Sequence, residues 1–137
     1  MILMVCVDDN GGMMFHRRRQ SRDRRLVERI LTLTQGSLLR MNAYSAALFS
    51  GHERKQICIS EDFLQKAEPG TFCFVENVSI LPYLDKIERI IRFRWNRVYP
   101  ADQYFEISLE TDGWRLMDSE SFAGSSHPEI KMEVYEQ

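Results

Sequence analysis

The feature that most constrains the fold is the opening stretch of the chain, residues 2–8. Its first six residues are all apolar and run directly into Asp8, without the polar alternation of a half-exposed strand. Such a run suits a strand buried on both faces, as in the centre of a parallel sheet. Asp9, Asn10 and two glycines then supply a loop. This beginning predicts an α/β protein.

The next element is an amphipathic helix, which the sequence predicts over residues 23–35. Leu26 and Ile30 belong to an apolar stripe at helical spacing. Either Ser21 or Asp23 can cap the N-terminus of this helix, because a short polar side chain can accept the free backbone N–H groups there. A helix that follows a buried strand is typical of an α/β unit.

The rest of the chain continues this alternation. Further strands are predicted at residues 37–41, 56–60, 71–76 and 87–95. A second helix is predicted over residues 43–49, with Asn42 as its N-cap. Residues 114–122 and 130–135 alternate in polarity and flank a Gly- and Ser-containing loop, which predicts an antiparallel hairpin.

Together these patterns predict a single α/β domain over residues 1–137, with a mixed, mostly parallel sheet flanked by helices and a C-terminal antiparallel hairpin. The content of 44% hydrophobic and 28% charged residues fits a globular domain. No stretch is apolar enough to span a bilayer, and the N-terminus lacks the basic start of a signal peptide, so a cytoplasmic location is expected.

A dense arginine run is the most unusual local feature. Its members, opposed only by Asp23 and Glu28, are His16, Arg17, Arg18, Arg19, Arg22, Arg24, Arg25 and Arg29. Arginine is well suited to bidentate contacts with phosphate or carboxylate, so the run favours a site for an anionic small molecule or for RNA. The alternative is a solvated surface that balances the acidic C-terminal part. Both interpretations remain open at this point.

Asp23 is the candidate for catalysis or ligand anchoring. Neighbouring arginines favour its charged form, which is the opposite of what an acid catalyst with a raised pKa requires. It either anchors an amidine-like or pterin-like ring, or caps the helix in a pair with Arg19 or Arg22. The second interpretation is slightly favoured.

A second basic stretch, residues 92–99, interleaves arginines with aromatic residues. This pattern is found in proteins that stack single-stranded nucleic acid. In a strand, however, Arg92 and Arg94 share one face while Phe93 and Trp95 share the other. The same pattern describes a half-buried edge strand, which is the favoured interpretation.

The remaining reactive residues form no recognisable motif. The histidines His16, His52 and His127 lack metal-ligand spacing, so no metal site is expected. Three scattered cysteines argue against disulfides. The serines, Ser21 and Ser45 among them, lack a nearby histidine–acid pair in sequence, which argues against a catalytic triad.

Several stretches resemble the dihydrofolate reductase family in order and in local sequence. The first strand with its Asp-Gly loop is similar to that family's opening, and Asp23 stands where the family places its acidic active-site residue. Residues 38–45 resemble the family's second strand and following helix. Residues 85–91 and 100–105 are similar to its late strand and D-x-x-F segment, and the terminal hairpin to its last two strands. The resemblance implies the reductase fold over nearly the whole chain.

Departures from the family pattern fall on ligand contacts. Residues 15–22 lack the family's Trp, Met41 and Asn42 replace its Gly-Arg, and residues 74–79 lack the Gly-Gly pair that approaches the cofactor pyrophosphate. We therefore expect no cofactor, although NADPH stays possible, and we expect dihydrofolate reduction to be lost. The shortened region also predicts an open sheet edge near residues 71–78, where a homodimer could form.

The sequence thus predicts a binding protein or pseudoenzyme that holds an anionic small molecule. The resemblance puts the arginine run at the mouth of the pocket. The candidate ligand-binding residues are Arg18, Arg19, Ser21, Arg22, Asp23, Asn42 and Ser45. The alternatives are an NADPH-dependent reductase of an unknown substrate and a module that binds RNA or a protein.

Overall fold

The computed structural model describes residues 1–52 and 54–137. Its strands are β1 (Ile2–Val7), β2 (Gly12–Phe15), β3 (Arg18–Arg19), β4 (Leu39–Met41), β5 (Ile57–Ile59), β6 (Phe72–Phe74), β7 (Arg89–Arg94), β8 (Gln103–Tyr104), β9 (Arg115–Phe122) and β10 (Ile130–Glu136). Its α-helices are α1 (Arg24–Leu33), α2 (Ala43–Ala46) and α3 (Phe63–Lys66). Short 3-10 helices lie at Ala47–Phe49 and Leu81–Lys86.

The main sheet has seven strands in the order β5-β4-β6-β1-β7-β10-β9. The opening strand β1 pairs in parallel with β6 on one side and with β7 on the other. The last two strands form an antiparallel hairpin, with β10 beside β7. The predicted fold class, a mostly parallel sheet with a C-terminal antiparallel hairpin, is therefore confirmed.

Two predictions about sheet edges are wrong. The strand at residues 71–76 leaves no open edge, because β6 lies between β4 and β1. The strand at residues 87–95 is not an edge strand either, because β7 is covered by β1 and β10, and four consecutive residues of it are buried. The outer strands are β5 and β9 instead. The open edge through which a homodimer was predicted to form is therefore absent at β6.

The sequence also failed to indicate some short elements. Residues 12–19, for which no strand was predicted, contain β2 and β3, which form a second sheet with β8 in the order β3-β2-β8. Helix α3 was not predicted. Elements of two to four residues are too short to show a periodicity, so their pairing depends on the surrounding fold.

The main sheet divides the apolar core into two layers. Leu3, Val5 and Val7 point to one face, and Met4 points to the other, where it packs with α1. Helix α1 buries Leu26, a member of its predicted apolar stripe, against this second face. No helix in the described residues is long and apolar enough to cross a membrane.

Candidate functional site

The candidate site lies where the parallel strands end, beside the N-terminus of α1. Cys6 near the end of β1, Glu76 just after β6 and Trp95 just after β7 line a cavity together with residues 19–23. In open α/β sheets, ligands bind at the carboxyl ends of the strands. The free space in this cavity is about 10 Å³, which is room for roughly one water molecule. This space is smaller than a nicotinamide ring or a pterin ring.

Asp23 closes one side of this cavity and is the N-cap of α1. Its Oδ1 accepts hydrogen bonds from the backbone N–H groups of Arg25 at 2.9 Å and Leu26 at 3.2 Å. The cap is therefore Asp23 rather than Ser21. A further N–H, that of Ser125, reaches the same Oδ1 at 2.9 Å.

The second oxygen of Asp23 is held by the loop between β9 and β10. Oδ2 accepts from the backbone N–H of Ser126 at 2.8 Å, and it lies 3.0 Å from Nδ1 of His127. The Asp23 side chain is completely buried. Burial raises the pKa of this carboxyl, but the hydrogen bonds, led by the one from Ser125, outweigh it and hold the pKa well below its usual range. Asp23 is therefore an ionised carboxylate with both oxygens occupied.

His127 connects Asp23 to a serine. Because Nδ1 faces an ionised carboxylate, it carries the proton in the neutral ring, and Nε2 is then an acceptor. Nε2 lies 3.1 Å from Oγ of Ser21 and 3.0 Å from the hydroxyl of Tyr99. The imidazole stacks on Trp95 with the ring centroids 4.5 Å apart and an interplanar angle of 23°. Stacking and hydrogen bonds together fix the orientation of the ring.

Gly124 allows the loop to approach Asp23. A Cβ atom at this position would lie 2.5 Å from Oδ2 of Asp23 and 2.8 Å from the carbonyl oxygen of His127. Both distances are shorter than real Cβ contacts. Only glycine therefore fits at this position without a shift of the loop.

A buried ion pair forms the opposite wall of the cavity. Arg19 donates to Glu76 through Nε at 2.9 Å and through Nη2 at 3.0 Å, which is a bidentate pair. The guanidinium also lies 4.5 Å from the ring centroid of Tyr44. Burial, reinforced by the negative charge of Glu76, raises the pKa of the neighbouring Cys6 thiol well above its ordinary value. Cys6 is thus an unreactive thiol in the folded state.

The segment between Arg19 and Asp23 is anchored at Gln20. Its side-chain amide donates to Oδ2 of Asp8 at 3.0 Å, and Asp8 also accepts the backbone N–H groups of Asn10 and Gly12 at 2.8 Å. Burial raises the pKa of Asp8, but the hydrogen bonds from Gly12, Tyr99, Asn10 and Gln20 leave it lowered overall. The residues on either side of Gln20 are consequently held in place.

Several arginines near the cavity are free of ion pairs. Within residues 1–52 and 54–137 these are Arg17, Arg18, Arg22, Arg24 and Arg25. Arg22 lines the cavity, whereas Arg24 and Arg25 line an open groove beside α1. Arg29 lines the same groove but is paired with Glu120 at 3.0 Å.

The structure brings together some of the predicted ligand-binding residues and separates others. Arg19, Ser21, Arg22 and Asp23 all line the cavity. Arg18 is exposed on β3. Asn42 and Ser45 do not line this cavity: Asn42 caps α2 by accepting the N–H of Ser45 and donates to Asn77.

Other site residues were missed by the sequence analysis. Asp23 does not pair with Arg19 or Arg22 as expected, because Arg19 is held by Glu76 and the oxygens of Asp23 are held by residues 125–127. His127, Tyr99 and Glu76 carried no local signal. The sequence shows no histidine–acid pair close to Ser21, but the fold brings His127 to it across 106 positions.

The mostly parallel sheet with its C-terminal antiparallel hairpin is a dihydrofolate reductase-like fold. Among solved structures, the chain is similar to the dihydrofolate reductase from Enterococcus faecalis complexed with NADP(H) and RAB-propyl. The match covers 98% of this chain and 94% of that chain, with a TM-score of 0.66 and 10% sequence identity. No family model and no curated protein matches the sequence.

Proposed function

We propose that this chain binds a small anionic molecule, carrying phosphate or carboxylate groups, at the arginines that flank the cavity, and that it does not reduce dihydrofolate. The observation that carries the proposal is the set of arginines without ion pairs on and around the cavity-lining segment. They are Arg17, Arg18, Arg22, Arg24 and Arg25, on both sides of residues that the fold holds in place.

The acidic side chains of the cavity are already paired within the protein, so they do not neutralise the positive charge of these arginines. Glu76 is neutralised by Arg19 through two hydrogen bonds. The carboxylate of Asp23 is covered by backbone N–H groups and by His127. An approaching anion therefore meets the guanidinium groups but no exposed acid of the cavity. Guanidinium groups also match the planar geometry of carboxylate and phosphate oxygens.

The same geometry argues against reduction of a pterin. An acid that anchors a pterin-like ring needs a free oxygen directed into the pocket, yet both oxygens of Asp23 already accept hydrogen bonds from the protein. The cavity has room for about one water.

The test is thermal unfolding with pyrophosphate as the first probe, followed by nucleotides, dihydrofolate, methotrexate and NADPH. A ligand at about 100 times its Kd stabilises the folded state by roughly 2.7 kcal/mol. We expect pyrophosphate to raise the Tm and the double variant Arg22→Gln/Arg25→Gln to abolish the rise. The matched control is Arg115→Gln, an exposed arginine on the distant β9. A Tm that no anion changes, or a rise that survives in the double variant, would contradict the proposal.

An NADPH-dependent reductase is the second candidate, because the solved structure with the same fold is complexed with NADP(H). Stabilisation by NADPH that exceeds stabilisation by pyrophosphate would favour it over simple anion binding. Short RNA forms a third arm of the same panel. If RNA binds, its affinity should fall steeply with salt, because phosphate contacts release counterions.

A further inference from the structure

We propose that Ser21, His127 and Asp23 form a nucleophile, base and orienting acid that hydrolyse a small carboxylic ester. The three side chains are linked in that order by distances of 3.1 Å and 3.0 Å. Catalytic triads arise on unrelated folds in different chain orders, so they are recognised by geometry and not by spacing in sequence. The inference uses none of the free guanidinium groups and stands independently of the anion site.

Each of these three residues is held in its role by its neighbours. Asp23 is ionised and buried, and it keeps the Nδ1–H tautomer of His127. The Nε2 atom is left to accept the proton of Ser21. Trp95 stacks on the imidazole and prevents it from turning away. A base fixed by a third group and within reach of a hydroxyl is the arrangement that activates a serine.

Ser21 is the member that a substrate can reach. It is partly exposed, whereas His127 and Asp23 are buried. A substrate therefore approaches Ser21 from solvent and not through the cavity, which has room for only about one water. The backbone N–H of Arg22, the residue after the serine, donates to no acceptor in the described residues. An N–H at this position commonly stabilises the oxyanion in serine hydrolases.

The chemistry balances without a cofactor. Oγ of Ser21 attacks the ester carbonyl while its proton moves to Nε2 of His127, and the acyl–oxygen bond to the leaving alcohol breaks. The alcohol leaves with the proton from Nε2, and an acyl-serine remains. Water then attacks the acyl-serine, gives one proton to Nε2, and releases the carboxylic acid as Ser21 recovers its proton.

Among the described residues, Tyr99 competes with Ser21 as a donor to Nε2, from a distance of 3.0 Å. The nitrogen has one lone pair, so Tyr99 and Ser21 cannot both donate to it fully at the same time. Removing the Tyr99 hydroxyl leaves Ser21 as the donor. The Tyr99→Phe variant should therefore react at least as fast as the natural chain.

The test is covalent labelling with phenylmethylsulfonyl fluoride, a neutral reagent that needs no anion site, followed by intact-mass and peptide mass spectrometry. We expect one adduct, on Ser21. It should be absent in Ser21→Ala and present in the control Ser119→Ala, which removes an exposed serine of β9. Hydrolysis of p-nitrophenyl acetate should likewise be lost in Ser21→Ala and retained in Ser119→Ala.

Variants of Asp23 and His127 distinguish a catalytic role of these residues from a purely structural one. Asp23→Asn should keep the circular dichroism spectrum and lose about 100-fold or more in labelling rate, as expected for an acid that sets the tautomer of the base. His127→Ala should lose labelling and regain part of it with added imidazole. Folded protein that is not labelled, an adduct that persists in Ser21→Ala, or loss of labelling in Tyr99→Phe would overturn the proposal.

Discussion

Replacement of Asp23 by alanine tests the central feature of the site, the carboxylate that joins α1 to the loop between β9 and β10. The variant removes the helix cap, which contributes about 1 kcal/mol. It also strands the N–H groups of Ser125 and Ser126 and the ring N–H of His127, since all three donate to Asp23. An N–H group that loses its acceptor costs about 1–3 kcal/mol when it is buried, and the cost lies at the low end for Ser125 and Ser126, which are exposed residues.

With partial relaxation of the loop, we expect Asp23→Ala to lower the free energy of unfolding by about 4 kcal/mol, the combined effect of the lost cap and of the three N–H groups left without an acceptor. For 137 residues, an unfolding entropy of about 2.1 cal/mol/K per residue converts this loss into a fall in Tm of about 14 °C. Thermal and urea unfolding followed by circular dichroism measure it.

The control is Asp85→Ala, at an exposed aspartate, which should change stability by less than about 0.5 kcal/mol. Hydrogen exchange adds a local measurement, because the amides of Ser125 and Ser126 should lose protection in Asp23→Ala. A loss of only about 1 kcal/mol with unchanged protection of these amides would refute the reasoning. It would mean that Asp23 acts only as a helix cap.

Three further predictions concern the same cluster. Gly124→Ala should cost about 1–3 kcal/mol in urea unfolding, because the added Cβ collides with Asp23; an unchanged midpoint would contradict the packing. Glu76→Gln should cost about 3 kcal/mol, and a double-mutant cycle with Arg19→Met should show coupling; additive losses would mean that the two groups do not interact. The lowered pKa of Asp23 stabilises the fold above the unfolded pKa of about 3.9. This stabilisation should be lost as pH falls toward the folded pKa, so urea midpoints should fall from pH 6 to pH 2 less steeply in Asp23→Asn than in the natural chain.

The elements that could be predicted from sequence are those with a strong local signal. The apolar run of β1 and the stripe that includes Leu26 identify a buried strand and a helix packed on it. Asn42 was recognised as a cap from residue type alone. These features depend on the chemistry of a few neighbouring residues, which the sequence displays directly.

The site required information that no local pattern contains. His127 reaches Asp23 across 104 positions, and Glu76 reaches Arg19 across 57. The wrong edge assignments have the same cause, because the neighbours of β6 and β7 come from distant parts of the chain. A charged residue in a sequence shows its need for a partner but not which partner the fold supplies.

The attachment of Asp23 to residues 125–127 also sets an order of assembly. A chain is synthesised from its N-terminus, and contacts between distant residues close late because of the entropy of the intervening loop. Strands β1 to β7 and helix α1 can emerge from the ribosome while Asp23 still lacks its partners. The segment that carries Ser125, Ser126 and His127 emerges about a hundred residues after Asp23 and only then docks on this cap. The site therefore forms after the parallel strands have emerged, and chains interrupted before residue 123 would carry most of the parallel sheet but no site.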